Sequence, residues 1–334
     1  MAAATMYVTP AGALGKTGAD WANAMGEAEF EADLEAGAEA GDIYYVLAGT
    51  YTLDSPYDSS ARVGTVVAPI SIIGVKAATS AEPPAYSDWP SVGSADRPTF
   101  ACGANTVIFG NYYKLFNLIF TTSAAAAIQT GTYCTVVNSK FTQGSGLARS
   151  TLVLNTYSAA ISCEFIGTSS EGIGLVGSNG SRAFFCYFHE LGTGYRFGGY
   201  AEHALFNIFD TCSIIGLDVN SRAAGYAINN TFNDCATGIG ITTGWAGGIN
   251  NIFEGCTTDG VKATTAFNCG YWHRNHGDNA RNTDMWDGID EAIVAYMDNA
   301  VSTGDPLFDA ANFNNSLQAG SPCQNNGLSA VLGT

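Results

Sequence analysis

His189, Asp210, Asn233 and Glu254 are spaced by 21, 23 and 21 residues, and each directly follows a phenylalanine. A histidine and two carboxylates recurring at one period form a set able to donate and accept protons. Two carboxyl groups at a fixed separation are also what hydrolysis of a glycosidic bond requires. Arg196, close to His189 in sequence, is the candidate base for an elimination. The same run reads equally as a solvated face, because outward positions on a half-buried strand are polar. The choice depends on the elements that hold these side chains.

Those elements are announced by the phenylalanines. Phe120, Phe141, Phe165, Phe188, Phe209, Phe232 and Phe253 are separated by 21, 24, 23, 21, 23 and 21 residues. A period near 22 is too short for paired-helix repeats and fits one coil of a right-handed parallel β-helix. The chain is therefore expected to be all-β, a single-stranded solenoid with short capping helices at its N- and C-terminal ends. Side chains two apart on a strand share a face, so each phenylalanine and the residue two before it point inward. Asn207, Asn230 and Asn251 fill that second slot in later coils, and Cys163 and Cys186 fill it in earlier ones. Coils stack about 4.8 Å apart. Equivalent residues should then form columns of rings, of thiols, and of buried amides bonded coil to coil.

Three regions are expected. Residues 1–64 hold an opening strand at Tyr7-Val8-Thr9-Pro10 and a capping helix from Glu27 to Ala40, stopped by Gly41. Residues 65–269 hold the coils, with a loop at about 79–98 marked by Pro83, Pro84, Pro90 and Pro98. Residues 270–334 form a C-terminal cap with a helix over about Gly288 to Asn299 and an extended tail. Tyr86 and Trp89 in the loop could stack on a sugar or pin the loop to the body. With Tyr187 and Trp245 they are the candidate glycan-binding residues. His273 and His276 are three apart beside Asp278 and Asp284. They lack a helical His-x-x-x-His spacing or a cysteine pair and read as surface or cap packing. No metal or cofactor is expected.

Tyr7-Val8-Thr9-Pro10, Trp21-Ala22-Asn23-Ala24 and Gly41-Asp42-Ile43-Tyr44-Tyr45-Val46-Leu47-Ala48-Gly49-Thr50-Tyr51 resemble the opening of bacterial and phage pectin-lyase-like β-helix proteins. Asp305-Pro306-Leu307-Phe308 and Leu317-Gln318-Ala319-Gly320-Ser321-Pro322 look like their closing segment. The resemblance covers both ends and the repeat between them. It implies the fold; these are packing motifs and carry little about activity. Enzymes of this superfamily mostly cleave polysaccharides. The polygalacturonase pattern of Asn-Thr-Asp, Asp-Asp, Gly-His-Gly and Arg-Ile-Lys is met only by Asn282-Thr283-Asp284, outside the repeat. The Arg-x-Pro-x-x-Arg segment of pectate lyases is missing.

Composition narrows the classes further. The 334 residues carry 13 lysines and arginines against 30 aspartates and glutamates, a net charge of −17. Such a chain repels phosphate backbones, so no nucleic-acid partner is expected. Without an apolar run of about 18 residues, no membrane insertion is expected either. The start, Met1-Ala-Ala-Ala-Thr-Met-Tyr-Val, has neither a basic nor an apolar leader region. This predicts synthesis in a cytosol without a signal peptide, with a virion or other extracellular particle as destination. Nine cysteines, an odd number with no Cys-x-x-Cys, read as buried free thiols. The leading expectation is a non-enzymatic structural or surface-recognition protein, a phage decoration, fibre or spike component able to bind glycan. It would have protein assembly partners or self-associate, and could meet a cell-surface glycan. The alternatives are a polysaccharide lyase or glycoside hydrolase on the same fold, and a bacterial adhesin or filament-forming surface protein.

Overall fold

In the computed structural model of the chain, residues 3–263 are described apart from 54–55, 78, 92–93, 124–126, 145–148, 169 and 221–223. Beyond 263, strand backbone is described at 269–273, 276–277, 284–287, 308–309 and 314–317. The chain divides into two compact units, Met1–Val176 and Gly177–Thr334. Each is a parallel β-solenoid of about 22 residues per turn, built from three sheets visited in the order I, II, III.

In the first unit, sheet I holds Thr5–Val8, Ile43–Leu47, Ile70–Val75, Tyr113–Phe116, Thr135–Val137 and Ala159–Ile161. Sheet II holds Thr50–Thr52, Thr99–Gly103, Ile119–Thr122, Lys140–Gln143 and Glu164–Ile166. Sheet III runs from Tyr57–Asp58 through Val107–Ile108, Ile128–Gln129 and Ser150–Val153 to Ile173–Val176. The expected ring column stands on sheet II and is longer than the phenylalanine spacing indicates. Tyr51, Phe100, Phe120, Phe141 and Phe165 stack with centroids 5.2, 5.4, 5.3 and 5.1 Å apart. Each fully buried ring contributes roughly 1.5–3 kcal/mol from burial, and offset stacking adds about 0.5–1.5 kcal/mol per pair.

The helix α1, Glu27–Ala36, covers the end of this column. Its one buried stripe is Phe30 and Leu34, and the Phe30 ring lies 6.2 Å from that of Phe100. The Glu29 carboxylate accepts from the Gly26 N–H at the helix start. The helix stops four residues before the expected Ala40. The N–H groups of Gly37 and Ala38 both turn back onto the Asp33 carbonyl, and Asp42 gathers Glu39 into a separate turn. The expected C-terminal helix over 288–299 lies outside the described residues, as do the side chains of His273, His276 and Asp284.

In the second unit, sheet I holds Arg182–Phe184, Glu202–Leu205, Ala224–Ile228 and Trp245–Ile249. Sheet II holds Tyr187–His189, Ile208–Asp210, Thr231–Asn233 and Ile252–Glu254. Sheet III holds Thr193–Phe197, Ile215–Val219, Thr237–Ile241 and Asp259–Ala263. Phe188, Phe209, Phe232 and Phe253 stack at 4.8, 4.8 and 5.0 Å with ring planes within 7° of parallel. Beside them runs the amide ladder. The Asn230 Oδ1 accepts from the main-chain N–H and Nδ2 of Asn207 at 2.9 and 3.1 Å, and Asn251 repeats this for Asn230 at 3.0 and 3.0 Å. Burying an amide is tolerated here because every coil satisfies the one before it. The described cysteines, 102, 134, 163, 186, 212, 235 and 256, are buried free thiols.

Sheet I turns into sheet II through a single left-handed residue in most coils: Asn117, Asn138 and Ser162 in the first unit, and Phe185, Phe206, Asn229 and Asn250 in the second. One coil of the first unit departs from this rule. Between Ile70–Val75 on sheet I and Thr99–Gly103 on sheet II the corner is replaced by residues 76–98. This is the projecting loop expected from its prolines, and it forms one wall of a surface cleft.

Candidate functional site

The loop is fastened at three places. Trp21 donates through Nε1 to the Ala81 carbonyl at 2.9 Å and through its main-chain N–H to Glu82 at 2.8 Å. Lys76 Nζ reaches the Ser87 carbonyl at 2.8 Å, and the Ala77 N–H reaches Asp96 at 3.1 Å. Arg97 is buried and donates to the carbonyls of Ser94 and Asn138 at 2.7 and 2.8 Å. Desolvation lowers its pKa, opposed by the field of Glu164. Held in this way, the loop forms one wall of a cleft of about 510 Å³ whose other wall is made by the C-terminal ends of sheet I strands and the corners that follow them. That volume is in the range of small-ligand sites.

The cleft brings Tyr86 and Trp89 together. Their rings lie 5.4 Å apart, and Trp89 lies 6.0 Å from Phe116 on sheet I. Trp89 therefore pins the loop while also lining the cleft, and Tyr86, 83% exposed, is the free platform. Phe116 and its register partner Val137 form the apolar floor. Asn117, Asn138, Ser87, Ser91 and Ser162 supply neutral polar groups around it.

The second unit holds the other sequence candidates on three different surfaces. His189, Asp210, Asn233 and Glu254 stand in register on sheet II, as one outward column. Each Asp210 carboxylate oxygen accepts one hydrogen bond within it. Tyr187 donates through its hydroxyl to one carboxylate oxygen at 2.8 Å, and Asn233 Nδ2 donates to the other at 2.8 Å. The Tyr187 ring lies on that of His189 at 4.3 Å. Asp210 and Glu254 are two strands apart, about 9.6 Å along the stack, at the far limit of the roughly 6.5–9.5 Å used for inverting hydrolysis.

Arg196 is not with them. It lies on sheet III, where its guanidinium meets the buried Asp218 at 2.7 Å. The outward row there reads Arg196, Asp218, Gly240, Lys262 in register, and Lys262 pairs with Asp259 at 3.2 Å. Asp218 and Lys262 are missed when strand alternation is followed only beside the phenylalanines. Applied to the strands that follow the repeat glycines, the same alternation finds the row. Trp245 belongs to sheet I, edge-on to Tyr226 at 5.2 Å, and Tyr226 faces His203 at 6.0 Å. Burial, and then the charge of Arg182, lower the His203 pKa.

Glu202 is a wholly internal carboxyl. It accepts from the Gly198 N–H at 2.8 Å, from the Gly199 N–H, and from the Tyr195 hydroxyl at 3.0 Å. Burial pushes its pKa up to about 8, and these donors hold it from going further. Among the described residues no cluster of three or more histidine, cysteine, aspartate or glutamate side chains has metal-binding geometry.

No family model matches the chain, and no curated protein matches it. Solved structures do. A pectate lyase is 15% identical, with 93% of this chain and 84% of that one covered at a TM-score of 0.56. A rhamnogalacturonan lyase is 13% identical, with 89% and 86% covered at 0.57. A mannuronic-acid-specific family 6 polysaccharide lyase from human gut microbiota is 13% identical, with 83% and 65% covered at 0.57. At these identities the likeness is one of architecture. The stacked columns, the three parallel sheets and these neighbours together show a pectin-lyase-like parallel β-helix fold.

Proposed function

We propose that the protein is a non-enzymatic surface-recognition β-helix that binds glycan in the cleft between residues 76–98 and sheet I. The observation that carries this reading is the exposed Tyr86 ring standing on Trp89 over an apolar floor. Sugars offer C–H faces to aromatic rings and hydroxyls to serines, and this cleft presents both. Rigid scaffolds commonly place binding groups on such loops. In the outward column on sheet II, Tyr187 and Asn233 each donate to the Asp210 carboxylate, so that group ties neighbouring coils together, a structural use that fits the non-catalytic part. Calorimetric titration of the protein with a polysaccharide panel, beside Tyr86→Ala, tests the reading. Binding that the substitution leaves intact would remove the cleft from it. The recognition role proposed is that of a phage decoration, fibre or spike protein. Imaging of the native assembly decides this, and a chain found outside any particle would count against it.

A second reading is a polysaccharide lyase or glycoside hydrolase. Neighbours of the same fold are lyases, and the row of Arg196, Asp218 and Lys262 places two cations and a carboxylate on one face. Incubation with uronate polysaccharides, followed by absorbance of unsaturated products and by reducing-end release, tests it. No product above a heat-denatured control would end this reading.

A further inference from the structure

We infer that the cleft selects neutral glycans over uronate polymers, an inference that rests on the recognition reading above. Its chemistry is uncharged almost throughout. Among the described lining residues no carboxylate occurs, and Lys76 is the one cation. Lys76 is already tied to the Ser87 carbonyl, and its own main-chain N–H to that of Asp88. Arg97 is the other cation of the loop. It is buried behind Asn138, with Nε donating to the Ser94 carbonyl and one terminal nitrogen to that of Asn138.

The surroundings are hostile to polyanions. Residues 76–98 hold these two cations against the three carboxylates Glu82, Asp88 and Asp96. The chain as a whole carries −17. A polymer with a carboxylate on each sugar would approach a like-charged surface and find no bidentate guanidinium to receive it. A neutral sugar loses nothing to that field. Its C–H face can lie on Tyr86 and the Trp89–Phe116 floor, and its hydroxyls can bond Ser87 or Ser91.

The test compares soluble β-glucan, galactomannan and chito-oligosaccharide with alginate and polygalacturonate. Each is titrated into wild type and Tyr86→Ala, at about 0.05 and 0.5 M salt. The expected result is binding of at least one neutral glycan, changed less than about twofold by salt and weakened about tenfold by Tyr86→Ala. Tyr86 is exposed, so the variant should melt with wild type. Binding of alginate or polygalacturonate that falls with salt and is weakened by Tyr86→Ala would overturn the neutral-glycan inference and leave recognition at the cleft standing. If no glycan responds to Tyr86→Ala, the recognition reading itself fails, and the inference with it.

Discussion

Replacing Glu202 by glutamine should remove a pH dependence of stability that the wild type carries. The carboxyl is buried beside Tyr195 and the Gly198–Gly199 turn, and its pKa is about 8 against an ordinary 4.5. Between those values the native state holds a proton that the unfolded chain has released. Stability from this group is then full below about pH 4.5, falls as pH rises through the window, and is flat above about 8. One pH unit corresponds to about 1.36 kcal/mol, so the whole window amounts to roughly 5 kcal/mol as an upper figure. Glutamine stays neutral throughout. Its oxygen can keep the two glycine N–H groups, while its amide faces the Tyr195 hydroxyl, at a pH-independent cost of about 1 kcal/mol. The assay is chemical denaturation of both proteins at half-unit steps from pH 5 to 8.5. Taking the difference cancels the other carboxylates. The wild type should be the more stable at pH 5 and lose that advantage towards pH 8. A difference that stays constant across the window would refute the assignment of a buried, protonated Glu202.

Two further substitutions test the columns. Asn230→Ala should destabilise by about 2–4 kcal/mol in denaturant unfolding, because it strands the Asn207 donors and the Ala204 carbonyl. Asn230→Cys should cost less, since cysteine occupies that slot at 163 and 186; equal losses would mean a thiol cannot stand in for the amide, and a loss below about 0.5 kcal/mol for Asn230→Ala would mean the ladder contributes little. Gly238→Ala would bring a methyl 2.5 Å from the Phe253 ring and 2.6 Å from the Gly260 carbonyl. A loss of about 1–3 kcal/mol is expected in the same assay, and an unchanged midpoint would show that the ring column can shift aside.

The sequence alone determined the solenoid. Its period, the inward phenylalanines and the Asn207–Asn230–Asn251 run are local facts, and parallel stacking at one strand spacing turns each into a column. It also marked the loop through its prolines and named Tyr86 and Trp89. It could not show that Tyr51 and Phe100 join the ring column, because the 76–98 insertion breaks the period between them. Nor could it end α1 at Ala36, since that depends on which carbonyl the Gly37 and Ala38 N–H groups find. For the candidate sites, tertiary structure decided what spacing left open. It kept His189, Asp210 and Glu254 in register but set Arg196 on a different sheet, because a coil that turns corners separates neighbours in sequence. It also bonded the Asp210 carboxylate to Tyr187 and Asn233 and folded the loop so that two aromatic rings meet a floor supplied by later coils. Period is written in the chain; which faces a corner or an insertion brings together is settled only when the coils close on one another.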